Sequence, residues 1–211
     1  MHIPDGFLDA KTWVGLDIVS FGALVMAIRK TRHHLGERQI PLMGVMAAFI
    51  FAAQMINFPV AGGTSGHFMG GFLAAMLLGP LTAVPIMAVV LIVQCLVFQD
   101  GGLTALGANI FNMGVIGSMA GYYLYRGISR FSSNSRFQSF SIFIAAWFSI
   151  VLSAGMCALE LGASGIVPVR IALPAMTGIH AIIGIGEGII TVLVLSFVAK
   201  IRPDLLDIQK A

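Results

Sequence analysis

Of 211 residues, 58% are hydrophobic and 10% charged, and the mean hydropathy is +0.95. A water-soluble domain of this length cannot hide so much apolar surface, so the composition excludes soluble enzymes and predicts an integral membrane protein. The formal net charge is only +3, and without a soluble basic domain the chain is not expected to bind nucleic acid.

Residues 1–11 form a polar opening. They carry Asp5 and Asp9 and lack the basic start of a signal peptide, so the mature chain is expected to begin at Met1. Apolar segments follow at residues 12–29, 40–57, 68–79, 81–99, 104–125, 139–161 and 172–200, the third of them short. Their continuity predicts helices, because a closed β-barrel would need short alternating strands. The 25 glycines and many alanines suit helices that approach closely in lipid. Small residues recur at Ala23 and Ala27, and at Gly44, Ala48 and Ala52; these stripes serve either packing within the chain or a partner helix. Cys95 and Cys157 lie in apolar runs as packing residues, with no disulfide or zinc pattern. The 12 methionines are scattered through the same runs, which fits packing better than copper binding.

Basic residues gather in three places: Arg29, Lys30, Arg32 and Arg38; Arg126, Arg130 and Arg136; and Lys200, Arg202 and Lys210. The positive-inside rule makes all three cytoplasmic. An even number of crossings must then separate the first cluster from the second, so the short segment 68–79 also crosses, with Gly79-Pro80 and Pro85 marking the turn after it. The expected fold is an all-α integral membrane protein of about seven transmembrane helices, N-terminus outside and C-terminus cytoplasmic. It forms one membrane domain, residues 1–211, in which residues 1–11 and the 58–67 loop are both extracytoplasmic. His33 and His34 fall in the first basic run and read as cytoplasmic loop residues.

That topology brings Met1, His2 and His67 to one side of the membrane. A free Met1 amine, the backbone nitrogen of His2 and its imidazole Nδ1 can close a five-membered and a six-membered chelate ring on one ion. His67 can supply a fourth nitrogen. The bulk of His2 should keep the initiator methionine in place. The amide must lose its proton to bind, which only a strongly binding late first-row ion achieves near neutral pH. Four nitrogens in a plane suit Ni(II) or Cu(II), whereas Zn(II) prefers a tetrahedron and Mg(II) or Ca(II) prefer oxygen.

The opening Met1-His2-Ile3-Pro4-Asp5-Gly6-Phe7-Leu8 resembles that of the CbiM/NikM family, the substrate-specific membrane subunits of energy-coupling-factor nickel and cobalt uptake systems. Asn57-Phe58-Pro59-Val60-Ala61-Gly62-Gly63-Thr64-Ser65-Gly66-His67 is similar to the family's second metal-site segment, and Ile179-His180-Ala181-Ile182-Ile183-Gly184-Ile185-Gly186-Glu187 to its last-helix pattern. The resemblance implies metal ligation by the Met1 amine, the His2 amide and imidazole, and the His67 imidazole. The Pro4-Asp5 opening and the glycine-rich loop look more like the nickel branch, so Ni(II) is the expected transported substrate, with Co(II) as the other candidate. The implied location is the plasma membrane of a bacterium or archaeon. The implied partners are membrane lipid, a transmembrane coupling subunit, cytoplasmic ATPase subunits and a small companion membrane subunit. No phosphate-binding Gly-x-x-x-x-Gly-Lys-Ser/Thr loop occurs in this chain, so ATP hydrolysis must come from elsewhere and an enzyme is not expected.

Several polar residues are candidates to support the ligands. Asp5 either accepts a hydrogen bond from a ligand imidazole or serves the Pro4-Asp5-Gly6 turn. Thr64 and Ser65 can order the loop through their hydroxyls, and Asn57 either caps the second helix or touches the site. His180 and Glu187 share one face of the last helix; they either line a cavity below the metal or fix packing through an interhelical hydrogen bond. Glu160 and Arg170 flank an outer loop and are expected to face water, and Asp17 is either a ligand's partner or a solvated helix-end residue. Two rival functions remain. A proton-coupled secondary carrier would use His180, Glu187 and Asp17 as a relay but lacks the internal repeat usual for such carriers; an intramembrane metalloenzyme would need an open coordination position.

Overall fold

The computed structural model describes residues 1–32, 36, 39–60 and 64–207. His33, His34, Arg38, residues 61–63 of the glycine-rich loop and Lys210 lie outside the described residues.

The chain begins with an extended polar segment that leads into α1 (Ala10–Thr31), where Asp9 caps the helix by accepting from the Thr12 amide at 3.2 Å. Next come α2 (Gln39–Gln54), β1 (Asn57–Val60), β2 (Thr64–His67), α3 (Gly71–Leu78) and α4 (Pro80–Phe98). The proline at the first position of α4 lies where the sequence predicts the turn, since a missing N–H costs nothing there. After a loop, α5 (Leu106–Asn109) runs through a π-helical stretch, Ile110–Ile116, into α6 (Gly117–Ile128) and a 3₁₀ turn, Ser129–Phe131. Then α7 (Ser135–Ala163), α8 (Val169–Ile201) and the short α9 (Pro203–Asp207) complete the described chain.

Among the described residues four helices, α1, α4, α7 and α8, are long and apolar enough to cross a membrane. Large apolar side chains such as Ile18, Phe21, Leu193 and Phe197 point outward from them, as they do towards lipid. α2 is a shorter apolar helix. α3, the doubtful third segment, has eight residues, all of them buried. Gly71 begins it because a Cβ there would sit 2.7 Å from the Met113 carbonyl oxygen of the π-helical stretch.

Two expectations need correction. The fold is not purely α: residues 57–60 and 64–67 pair as an antiparallel hairpin, with Asn57 opposite His67. Phe58, Val60 and Thr64 belong to residue types that favour extended backbone, which is the local signal. Segment 104–125 is also not one regular helix. In its π-helical part the Asn112 carbonyl accepts from the Ser153 hydroxyl at 2.8 Å, and just past it, at the start of α6, the Gly117 carbonyl accepts from Ser149. A widened turn lets side chains of α7 reach the backbone of its neighbour.

Hydrogen bonds between elements define the two ends of the bundle. At one end, Gly102 donates to the Ile3 carbonyl at 2.8 Å, Ser164 at the end of α7 donates to Asp9 at 3.2 Å, and Gly107 at the start of α5 donates to Asp17 at 2.9 Å. At the other, Tyr125 of α6 donates to Gln138 of α7 at 3.0 Å, and Gln138 donates on to the Ser129 carbonyl at 3.0 Å. Arg29, Lys30, Arg126, Arg130, Arg136 and Lys200 sit on the helix ends remote from Met1.

Candidate metal centre

The first three residues are inside the protein: Met1 and Ile3 are fully buried, and His2 is 3% exposed. Backbone pairing holds them there. The Ile3 amide donates to Asn109 Oδ1 at 2.8 Å, Asn109 Nδ2 returns a bond to the Ile3 carbonyl at 3.2 Å, and Gly102 donates to the same oxygen. Asp5 fastens the segment further on, accepting from the Leu103 amide at 3.1 Å, the Thr104 amide at 2.8 Å and the Thr104 hydroxyl at 2.6 Å. The Thr104 hydroxyl is the largest influence on the Asp5 carboxyl and helps hold it below its ordinary pKa. The α4–α5 loop can lie this close only because residue 102 is glycine; a Cβ there would be 2.7 Å from the Pro4 carbonyl carbon.

His67 stands at the end of β2, 1% exposed. Its Nδ1 is 2.7 Å from the Phe68 carbonyl oxygen. A carbonyl can only accept, so Nδ1 carries the hydrogen and Nε2 carries a lone pair. That lone pair faces the Met1 amine nitrogen at 3.0 Å. The His2 ring stacks on His67 with centroids 4.6 Å apart and planes 16° from parallel. His2 Nδ1 lies 2.9 Å from the Asp100 carboxylate, whose other oxygen accepts from Asn57 Nδ2 at 3.4 Å. A cavity of about 590 Å³ adjoins His2, Asp5, Gln99, Asp100 and Gly102.

Burial makes these nitrogens neutral. It lowers the Met1 amine from 8.0 to about 5, against the opposing pull of Cys157 and Asp100. It also carries His67 well below its ordinary value, helped by the nearby amine and His2. His2 is lowered by burial too, with Asp100 opposing. Burial is the largest single influence on Asp100 and pushes it upward, but the hydrogen bond from His2, the nearby His2 ring and the Met1 amine together outweigh it and leave a net lowering. Near neutral pH the site therefore offers uncharged nitrogens beside one carboxylate, a donor set suited to a late first-row dication.

Several of the candidate supporting residues take other roles than those expected, although Asp5 does stand in the Pro4-Asp5-Gly6 turn, with Gly6 at φ +82°. Asp5 touches no imidazole; the carboxylate on His2 belongs to Asp100, and Asp5 fastens the chain. Asn57 does not cap α2 but lies in β1 and reaches the site through Asp100. Thr64 and Ser65 form β2 opposite Val60 and Pro59, and their side chains are outside the described residues. Among the described residues His180 makes no interhelical hydrogen bond: its Nδ1 donates to the Met176 carbonyl of its own helix at 2.7 Å and its Nε2 has no partner. Glu187 instead accepts from the Met69 and Gly70 amides, at 2.7 and 2.8 Å. Glu160 is buried rather than solvated and accepts from Asn112 Nδ2 at 2.7 Å; Arg170 is exposed, as expected. Asp17 bonds to the Gly107 amide and fixes α1 against α5. The residues that sequence reasoning missed are Asp100, Gly102 and Asn109. The available signal was Asp100-Gly101-Gly102, an acidic glycine turn closing a segment that ends on the His67 side.

The family described as "Cobalt uptake substrate-specific transmembrane region" (CbiM) matches residues 2–205. The chain is 46% identical over 213 residues to the putative fused nickel transport protein NikMN of Archaeoglobus fulgidus, covering 100% of this chain and 69% of that protein. It is 34% identical over 206 residues to the cobalt transport protein CbiM of Thermosediminibacter oceani, covering 93% of this chain and 83% of the relative. Its fold is similar to the crystal structure of a truncated transition metal transporter, with a TM-score of 0.89 and 33% identity over 95% of this chain and 99% of that one.

Proposed function

The chain belongs to the CbiM family of cobalt-uptake substrate-specific transmembrane regions, and from that premise we propose that it captures a transition-metal dication for uptake driven by partner subunits. It is a multi-pass membrane protein of a nickel and cobalt transport family. Ni(II) is the proposed substrate and Co(II) the second candidate. The observation that carries the proposal is the buried Met1 amine, 3.0 Å from a His67 nitrogen whose lone pair faces it.

The proposed donors are the Met1 amine, the deprotonated His2 amide, His2 Nδ1 and His67 Nε2. Nδ1 has a single in-plane position, so closing the six-membered ring exchanges its Asp100 contact for the ion. Cu(II) should bind at least as tightly in the test tube, by the ordinary stability order of first-row dications. Its exclusion in the cell rests on availability, because Cu(I) prefers sulfur ligands.

In this reading the Met1 end of the bundle is extracytoplasmic and the basic helix ends are cytoplasmic. Seven crossings follow, with buried α3 as the short one. ATP-driven transport then requires separate ATPase subunits, a transmembrane coupling subunit and a small companion membrane subunit. Uptake of radioactive nickel should fall to background when the ATPase and coupling subunits are omitted. Uptake sustained by a proton gradient alone would instead establish a secondary carrier. The bonding of its candidate relay residues argues against that rival: His180, Glu187 and Asp17 each bond to a different backbone group.

The lowered amine pKa sets the pH dependence. Between about 5 and 8.0 the amine is neutral in the folded protein but would be protonated if exposed, so at pH 7 it gives up no proton on binding. The released proton comes from the His2 amide. Calorimetry in buffers of different ionisation enthalpy should find about one proton released per ion at pH 7, and about two below pH 5 as the amine begins to compete. Affinity should therefore fall about tenfold for each unit by which pH is lowered towards 5, and more steeply below 5. Release of about two protons at pH 7 would mean that the amine is not pre-neutralised.

A further inference from the structure

Glu187 is 1% exposed and lies in the middle of α8, far along the sequence from the N-terminal segment and the hairpin. A buried carboxylate is expensive unless its oxygens are satisfied, and here both are: Oε2 accepts from the Met69 amide at 2.7 Å and Oε1 from the Gly70 amide at 2.8 Å. These N–H groups immediately precede α3, whose N-cap, Gly70, has no side chain to offer. Glu187 thus supplies from a distant helix the acceptors that the start of α3 lacks.

One of those two bonds leads directly to His67. The Met69 amide nitrogen and the Phe68 carbonyl belong to the same peptide group. Its oxygen accepts from His67 Nδ1 at 2.7 Å while its N–H donates to Glu187. The next carbonyl, of Met69, accepts from Gln54 Nε2 of α2 at 2.7 Å. The connected sequence is therefore carboxylate, peptide group, imidazole. Each hydrogen bond polarises the next, and in a buried site that coupling strengthens the whole chain. A negative charge on the N–H side makes the Phe68 carbonyl a stronger acceptor, which fixes the His67 tautomer and ring direction and makes Nε2 a better donor. Partners of metal-binding imidazoles commonly do this by direct contact; here a peptide group stands between.

We infer that Glu187 is a positioning residue for His67, acting through the Phe68–Met69 peptide. The inference rests on the proposed role of His67 as a metal donor. A merely structural role for Glu187 would weaken the fold whether or not His67 is present, whereas a role through the peptide disappears once the imidazole is gone.

The test is a double-mutant cycle on the full-length purified chain, titrated with nickel sulfate against a competing chelator and followed by the ligand-field absorption of bound nickel. Glu187→Gln keeps the size of the side chain but presents an NH₂ to one of the two amides. It should lower nickel affinity about 10–100-fold and move the absorption towards that of His67→Ala. In the His67→Ala background the same substitution should change affinity less than about twofold. Equal losses in both backgrounds, or no loss in either, would overturn the inference while leaving the ligand assignment intact. Unchanged affinity in His67→Ala alone would overturn the ligand assignment and the inference with it. If Glu187→Gln fails to fold, Glu187→Asp, which keeps the charge but withdraws it by one methylene, runs the same cycle with the same expected outcomes.

Discussion

Acetylating Met1 is expected to abolish tight nickel binding and its planar ligand-field spectrum. The acetyl group turns the amine into an amide, which is a donor only after losing a proton far more firmly held, and it brings no new amine to close a ring. The space is equally restrictive, since Met1 is fully buried with its nitrogen 3.0 Å from His67 Nε2; the added group must push the segment outward and break the Ile3 bonds to Asn109 and Gly102. Binding of a metal ion at a four-donor protein site is worth roughly 10–16 kcal/mol, or about 3 kcal/mol per donor. Losing the amine also removes the flanking ring that makes deprotonation of the His2 amide favourable, so two donors leave together. Affinity should drop upwards of roughly a thousandfold, measured by competition with a chelator of known strength. A residue added ahead of Met1 should instead replace the site with an amine, two amides and the His2 imidazole, a planar set that no longer needs His67, whereas an extension at the far terminus should have no effect.

The second large effect separates the two histidines. His67→Ala removes one donor and leaves the tridentate terminus, so nickel should remain bound about a hundredfold more weakly, with water as the fourth ligand and absorption shifted to longer wavelength. His2→Ala should cost more, roughly a thousandfold, because without Nδ1 the amide nitrogen no longer sits between two chelate rings. Its spectrum should lose planar character altogether. Equal losses in the two variants would argue that His2 ligates through its ring alone and that its amide stays protonated.

The part of this site that could be read in the sequence is covalent and local. Met1-His2 announces its chelate rings without any fold, and the three basic clusters bring His67 to the same end through parity of crossings. The length of segment 68–79 also foretold a helix too short to cross comfortably, and α3 is that helix. What escaped notice depends on long-range polar pairs. Asp100 meets His2, Asn109 meets Ile3 and Glu187 meets Met69 and Gly70, and no periodicity or hydropathy links these partners along the chain. Asp5 shows the same limit from the other side: it stands in the turn that Pro4-Asp5-Gly6 predicts, but its contact with Thr104 has no signal among its neighbours in sequence. The π-helical stretch leaves no trace in hydropathy, because widening one turn changes the backbone pairing and not the apolar character of the run. Glu160 was misread because a carboxylate near a helix end usually meets water, whereas here Asn112 from that stretch meets it first.

The most direct test of the amine as a ligand uses Cu(II) in place of nickel, since copper should occupy the same donors and its unpaired electron reports coupled nitrogens. The protein is produced with ordinary nitrogen and again with ¹⁵N-methionine, which labels the Met1 amine while leaving His2 and His67 unlabelled. Electron paramagnetic resonance should resolve four coupled nitrogens, and the label should change the splitting from one of them. A hyperfine pattern identical in both samples would contradict ligation by the Met1 amine.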